Sequence, residues 1–355
     1  MNTRRRVVLA GAAAALVAGV GRVQATDAAP FEWPSAPPES QGLSPAAMAE
    51  VLRDGAAVPG LRSLLVARNG VLVGESYYAG ATAADLLAIN SVTKSVSSML
   101  VGLALQKGAI TSLDDTVARL IPDAASKFPP SAWTELTLAQ ILAGHTGLGF
   151  ALTRGRELGN APDLAKFVLG LPAEVAAPSG WSYNDAAVAL IAPILARAQG
   201  ADLAAVAARD VFAPLGIERF NWARDRQGNA LAFGGLALRT RDLLKLAVLM
   251  LDGGQWRGAA VLPAAWVAES TQTRGPASWQ VAPVENIGYG RLWFTGTLHG
   301  RRVVWGWGYG GQFALWAPAL RLAVATAATS PPFPALKAQT DAVMALVGRV
   351  GQAAG

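Results

Sequence analysis

The chain of 355 residues contains no cysteine. A disulfide framework, a thiol nucleophile and thiolate-bound metal are thereby excluded. Histidine is nearly as scarce. His145 and His299 are the only two, no HExxH occurs, and a His-rich zinc site has too few ligands. There is no G-x-S-x-G elbow, so the common Ser-His-Asp esterase layout lacks its signature. Neither histidine sits in a recognisable motif, and His145 reads as a loop or core residue. Internal repeats are absent, and the only low-complexity segments are Ala-rich patches. Charged residues make up 15% of the chain against 52% hydrophobic, which excludes global disorder and leaves material for a sizeable core. The length suits one large domain, or one domain carrying an insertion.

The formal net charge of +6 is concentrated at the N-terminus. Residues 1–25 hold Arg4, Arg5, Arg6 and Arg22 and no acid. The remainder has 30 − 4 = 26 basic and 24 acidic residues, a net of +2. No basic stripe points to nucleic acid. The basic start, the apolar run from Val7 to Val20 and Val23-Gln24-Ala25 before Thr26 read as a secretory signal peptide over residues 1–25. A run of about 14 residues is too short to span a bilayer comfortably. Thr3-Arg4-Arg5-Arg6-Val7-Val8 resembles a twin-arginine export signal, so the expected destination is the periplasm or the exterior, with no stable membrane span after cleavage.

Beyond a Pro- and Ser-rich leader at 30–42, Ser44-Pro45 predicts a capped helix through about Asp54. Two apolar runs flank Asn69-Gly70, a β-hairpin signal. "INSVTKSVSSMLVGLALQKG" predicts a helix with Val92, Val96, Met99, Leu100 and Leu103 on one face and a stop at Gly108. Helical patterns broken by Pro and Gly dominate residues 109–233. A short strand, a cap at Thr240 and a helix come next. Strand-like segments then follow, among them "RRVVWGWG" and "QFALWAP", and a last helix over about 335–350. The order predicts an α/β (α+β) domain over 26–108 and 234–355, interrupted by a helical domain over 109–233, with the site at their junction.

Ser91 and Lys94 in "SVTKS" stand three apart at a helix start, where side chains share a face. A serine hydroxyl needs a base to become a nucleophile, and a desolvated lysine can be that base. Ser91 would also carry an N–H free to donate to an oxyanion. The alternative is an N-cap serine beside a solvated lysine. The chain has six lysines, and this one borders an otherwise apolar helix. A phosphate-loop reading fails, because Thr93 precedes Lys94 and Ala88 stands where the first glycine should be. In "PSGWSYNDAAV", Tyr183 precedes a helix starting near Asp185. A phenol near a lysine can relay protons to a leaving group; the alternative is a structural tyrosine under a helix cap. Gly306, Gly308 and Gly311 match a dinucleotide fingerprint in form only, since they lead into a strand and not a helix. Glycines there instead mark close approach of backbone to a ligand, or a hairpin packed by Trp305 and Trp307.

Together these stretches resemble the serine β-lactamase and penicillin-binding-protein superfamily, in particular its class C-like branch with family VIII esterases and 6-aminohexanoate-dimer hydrolases. The resemblance covers about residues 38–350. "SVTKS" is similar to the family's S-x-x-K segment, "LTLAQILAGHTGL" to a stretch that follows it, "WSYND" to the Y-x-N motif and "GWGYGGQ" to the active-site strand. The resemblance implies a β-lactamase/transpeptidase-like fold, an antiparallel sheet flanked by helices. It implies Ser91 as nucleophile, Lys94 as adjacent base and Tyr183 in proton transfer. It also implies an oxyanion hole from the backbone N–H groups of Ser91 and Trp307, and no metal or cofactor. Two departures stand out. Asp185 replaces the Asn of Y-x-N, and the K-T-G motif has no cation, with Trp305 or Gly306 and then Trp307-Gly308 in its place. Asp185, Trp305 and Gly308 are thus expected to line the substrate site, and strongly anionic substrates are disfavoured. The expected function is an exported serine hydrolase cleaving a small-molecule ester or amide through an acyl-enzyme. The alternatives are a β-lactamase or D-alanyl carboxypeptidase, or a non-catalytic binding module on the same fold.

Overall fold

The computed structural model describes residues 31–151, 154–173 and 180–354. The signal-peptide reading of residues 1–25 lies outside the described residues.

An eight-stranded antiparallel sheet forms the frame. Its spatial order is Val71–Tyr77, Leu61–Arg68, Leu322–Ala328, Gln312–Ala317, Arg301–Gly308, Phe294–Leu298, Glu285–Tyr289 and Gly275–Pro276. Strands from both halves of the sequence therefore pair, with Leu61–Arg68 set against Leu322–Ala328. The first hairpin turns at Asn69 and Gly70, both with positive φ (53° and 77°), as its Asn-Gly pair predicts. Ser44 caps the helix Pro45–Asp54 by accepting from the N–H of Ala47, and this helix lies against the C-terminal helix Phe333–Ala353.

The helix Val92–Gln106 differs from the expected amphipathic one. It is buried on all sides, including Thr93, Ser95, Ser97 and Ser98. The sheet covers one side and helices of the inserted region the other. Three of these polar residues bond to backbone: Thr93 Oγ1 donates to Asn90 O at 2.6 Å, Ser95 Oγ to Leu292 O and Ser97 Oγ to Ala232 O, the last two at 2.8 Å, while Ser98 Oγ has no partner among the described residues. The cap expected at Thr240 is also different. Arg239 is the capping residue, while Thr240 Oγ1 bonds Ser63 Oγ at 2.7 Å and ties the helix Thr240–Leu251 to the sheet.

Between the first hairpin and the later strands the chain forms short helices, among them Leu138–Ala143, Gly155–Asn160, Leu164–Leu169, Asp185–Ala189 and Ile191–Gln199. A small sheet of Leu87–Ala88, Leu236–Leu238 and Phe220–Trp222 links this region to the start of the Val92–Gln106 helix. Among the described residues no single helix is long and apolar enough to cross a membrane.

Candidate active site

The site begins with how the backbone delivers Ser91. Asn90, immediately before it, has a positive φ of 48°. That conformation is uncommon outside glycine but accessible to Asn. The turn is held on both sides. Ile89 N–H donates to Leu236 O at 2.9 Å, and Asn90 Nδ2 donates to Tyr309 O at 2.8 Å and to Ser330 Oγ at 3.1 Å. Ser91 is then the residue capping the helix, with no side-chain capping bond of its own. Its hydroxyl is left for other partners.

Those partners are Lys94 and Tyr183. Lys94 Nζ lies 2.9 Å from Ser91 Oγ, and the Tyr183 phenol interacts electrostatically with the Ser91 side chain. Lys94 is 2% exposed, so it is not the solvated first-turn lysine of the alternative reading. Its ammonium donates to Phe233 O at 2.6 Å and lies 2.8 Å from Asp185 Oδ1. The second contact is close but poorly aligned for a hydrogen bond, so it is an ion pair first. Nζ also stands 4.8 Å from the centre of the Tyr183 ring.

Electrostatics follow from this packing. Burial pushes the Lys94 ammonium below its ordinary lysine value, and the Asp185 charge opposes that shift. Burial, helped by the Asp185 charge, holds the Tyr183 phenol well above its usual range, while the Ser91 side chain acts the other way. Tyr289 is raised in the same manner. Tyr183 is thus a proton-bearing phenol and Lys94 a lysine poised to lose its proton.

Two segments fix the tyrosine and the aspartate. Asn184 caps the helix Asp185–Ala189 by accepting from Ala187 N–H at 2.9 Å, and its Nδ2 donates to Leu148 O at 2.9 Å. Ser182 N–H donates to Gly144 O at 2.7 Å. The "LAGHTGL" stretch therefore serves as the bed on which "WSYND" lies. His145 follows the helix Leu138–Ala143 and faces Gly275 of the edge strand, and among the described residues no bond connects it to Ser91 or Lys94.

The glycine-rich strand Arg301–Gly308 crosses the start of the nucleophile helix at van der Waals range. A Cβ on Gly306 would stand 2.8 Å from Val92 Cγ1, and one on Gly308 would overlap the carbonyl oxygen of Ile89. Gly308 is here because the two backbones touch, and Gly306 because the side chains of Val92 and Ser95 fill the space a Cβ would take. Phe313 N–H turns to Thr326 Oγ1, so in the Trp307–Phe313 pair neither peptide faces the other. The Trp307 peptide therefore points to the opposite edge, which the neighbouring strand leaves open past the Trp305–Phe294 pair. Tyr309 follows in the turn just past the strand end, its carbonyl accepting from Asn90 Nδ2. Among the described residues the N–H groups of Ser91 and Tyr309 have no acceptor.

Of the expected substrate-lining residues, Asp185 is turned onto Lys94, Trp305 is fully buried, and Gly308 packs on Ile89. Trp305 supports the wall from behind, stacked on Phe294 at 5.6 Å. The half-buried face belongs to Trp307, Trp279 and Tyr183. Trp279 lies on Tyr183 with ring centroids 4.2 Å apart and meets Trp307 nearly at right angles, at 5.5 Å and 79°. Trp279 was invisible to motif reasoning, since "GPASWQVAP" has no periodicity and no spacing that announces a site. Phe233 was missed because its backbone carbonyl, not its side chain, makes the contact. Among the described residues no group of three or more His, Asp or Glu side chains is set to hold a metal.

The beta-lactamase family model matches residues 47–349. A 6-aminohexanoate-dimer hydrolase of Paenarthrobacter ureafaciens is 25% identical over 223 residues, which is 58% of this chain and 55% of that protein. The chain thus spans about half the length of that relative. A solved structure from Bacillus anthracis named for the same hydrolase has a TM-score of 0.71 at 17% identity, covering 91% of this chain and 88% of that one. A class C beta lactamase from Rhodobacter sphaeroides has a TM-score of 0.60 at 20% identity, covering 86% and 98%. At these identities the solved structures speak for the fold, an antiparallel sheet flanked by helices. With most of its length matched by the family model and its Ser91, Lys94 and Tyr183 segments brought together, this chain belongs to the beta-lactamase family of serine hydrolases.

Proposed function

We propose that the protein hydrolyses an uncharged small-molecule ester or amide through an acyl-enzyme on Ser91. The observation that carries this is the 2.9 Å approach of a buried Lys94 Nζ to Ser91 Oγ. In its neutral form Lys94 takes the Ser91 proton as Oγ bonds to the substrate carbonyl carbon. The carbonyl electron pair moves onto oxygen. There it meets the N–H of Ser91 and a donor from the open strand edge at Trp307 or Tyr309, each worth a few kcal/mol. Tyr183 passes the proton to the leaving alkoxide or amine, and water then releases the acid by the reverse relay.

The substrate class follows from what surrounds the nucleophile. No lysine or histidine stands on the Trp305–Gly308 strand to receive a carboxylate, and the Asp185 charge is matched by Lys94. The wall offered to a ligand is aromatic, which favours an apolar acyl group. The relative named for 6-aminohexanoate-dimer hydrolysis supports extending the reading to linear amides. We also propose export by the twin-arginine route on the basis of residues 1–25.

The test is a fluorophosphonate probe followed by peptide mapping. Labelling on Ser91, lost in Ser91→Ala together with p-nitrophenyl ester turnover, is the expected result. Full turnover by Ser91→Ala would overturn it. Nitrocefin hydrolysis faster than ester hydrolysis would move the assignment to a β-lactamase.

A further inference from the structure

We propose that Asp185 is a positioning residue that holds Lys94 as its counter-ion and stabilises the ammonium formed when Lys94 takes the Ser91 proton. The inference rests on the serine-hydrolase reading above and goes beyond it, because it assigns a task to the aspartate that stands where the family motif has Asn.

The geometry is specific. Asp185 is 8% exposed, Lys94 is 2% exposed, and their charged atoms are 2.8 Å apart. A buried carboxylate is costly unless paired, and here the partner is the catalytic lysine. The other titratable side chains around Lys94 are Tyr183 and Tyr289, which line the same small cavity behind it. Both are held in the phenol form and neither can neutralise an ammonium. From the adjoining helix Gly155–Asn160 and its cap, Arg154 and Glu157 pair with each other at the surface. Asp185 is therefore the one carboxylate seen to contact Lys94 among the described residues.

The proton accounting gives the consequence. In the resting site the Lys94 ammonium donates to Ser91 Oγ and cannot accept its proton. Losing one proton to solvent makes the amine. The Ser91 O–H bond then breaks, a Lys94 N–H bond forms, and the ammonium reappears beside Asp185. Asp185 thus has two opposed effects. It favours the resting ammonium, which shifts activity to higher pH, and it stabilises the same ion in the transition state, which raises the rate once Lys94 is neutral. The sign is fixed: removing the negative charge lowers the lysine's pKa and moves the acid limb of the profile to lower pH.

The experiment measures the rate of Ser91 labelling and of p-nitrophenyl ester turnover against pH for the wild type, Asp185→Asn and Asp185→Glu. For Asp185→Asn the expected acid-limb midpoint falls by roughly one to three pH units. Its high-pH plateau drops by about tenfold or more, as for loss of one transition-state charge contact, so the two profiles cross. Asp185→Glu keeps a midpoint near the wild type. An Asp185→Asn profile lowered at every pH with its midpoint unmoved would assign Asp185 a merely structural role and overturn the inference. Should the Asn variant lack a cooperative thermal transition, Asp185→Ser is read by the same criterion. Failure of the wild type to label at Ser91 would instead remove the hydrolase reading beneath it.

Discussion

Trp279 lies stacked on Tyr183, ring centroids 4.2 Å apart and planes 26° from parallel. One face of the tryptophan thus sets the tilt of the Tyr183 phenol, and its ring meets Trp307 nearly at right angles. Removing it should act on binding before chemistry. Trp279→Ala is expected to raise KM for long or aromatic acyl esters about tenfold, the equivalent of roughly 1.5 kcal/mol of lost aromatic contact. Acetyl esters should change far less. Steady-state kinetics on a series of p-nitrophenyl esters checks this, and an equal loss across the series would refute the specificity role.

Tyr183→Phe keeps the stacked ring and removes only the hydroxyl. Turnover should fall by about 10²–10⁴-fold, the usual contribution of a positioned acid–base group, with KM nearly unchanged. Because burial and the Asp185 charge hold this phenol well above its ordinary value, it stays protonated through the alkaline range. The wild-type kcat profile should therefore show no falling limb below about pH 10. A descending limb near pH ~9 that vanishes in Tyr183→Phe would contradict the protonated-phenol assignment.

Gly308→Ala tests the close crossing of strand and nucleophile helix. The added methyl overlaps the carbonyl oxygen of Ile89, a backbone atom that cannot rotate away. The expected cost is about 1–3 kcal/mol of stability, as for overpacking elsewhere, together with a larger loss of Ser91 labelling, since Asn90 and Ser91 must shift. Thermal unfolding and probe labelling measured on the same sample separate the two effects. Unchanged labelling would mean the strand end is not part of the site.

Much of this arrangement is legible in the order of the amino acids. Local signals carried the Ser44–Pro45 helix start, the Asn69–Gly70 turn and the strand Arg301–Gly308, because capping, left-handed turns and β-branched runs act over a few residues. Ser91 and Lys94 are legible for the same reason: one helical turn joins them. What escaped the sequence is long-range. Nothing in "WSYND" reveals that Asp185 contacts Lys94, far back along the chain. Nothing in "GPASWQVAP" reveals that Trp279 covers Tyr183. The all-round burial of the Val92–Gln106 helix escaped for a related reason, since its serines look like a solvent face until their backbone acceptors at Ala232 and Leu292 are in place.

A second buried ion pair, Lys245 with Asp242 on the helix Thr240–Leu251, tests stability apart from Ser91. Lys245 and Asp242 side chains are 2% and 1% exposed, with Nζ 2.8 Å from Oδ1. Lys245 also donates to Gly216 O at 3.0 Å, which ties the turn after residue 212 to the helix Thr240–Leu251. Asp242 has a further partner in Arg239, whose Nε lies 2.6 Å from its Oδ2. The two single substitutions should therefore differ. Asp242→Ala strands the Lys245 ammonium in the core and is expected to cost about 3–5 kcal/mol. Lys245→Met fills the stem and leaves Asp242 its arginine, so its cost should be smaller, about 1–3 kcal/mol. The pair Lys245→Met with Asp242→Leu should recover much of the loss, because both buried charges are then gone and only the part-exposed Arg239 loses its partner. Urea unfolding gives the three stabilities, and Ser91 labelling of the folded fraction should stay at the wild-type rate. Additive losses in the double variant would show that the two charges stabilise the helix independently and not as a pair.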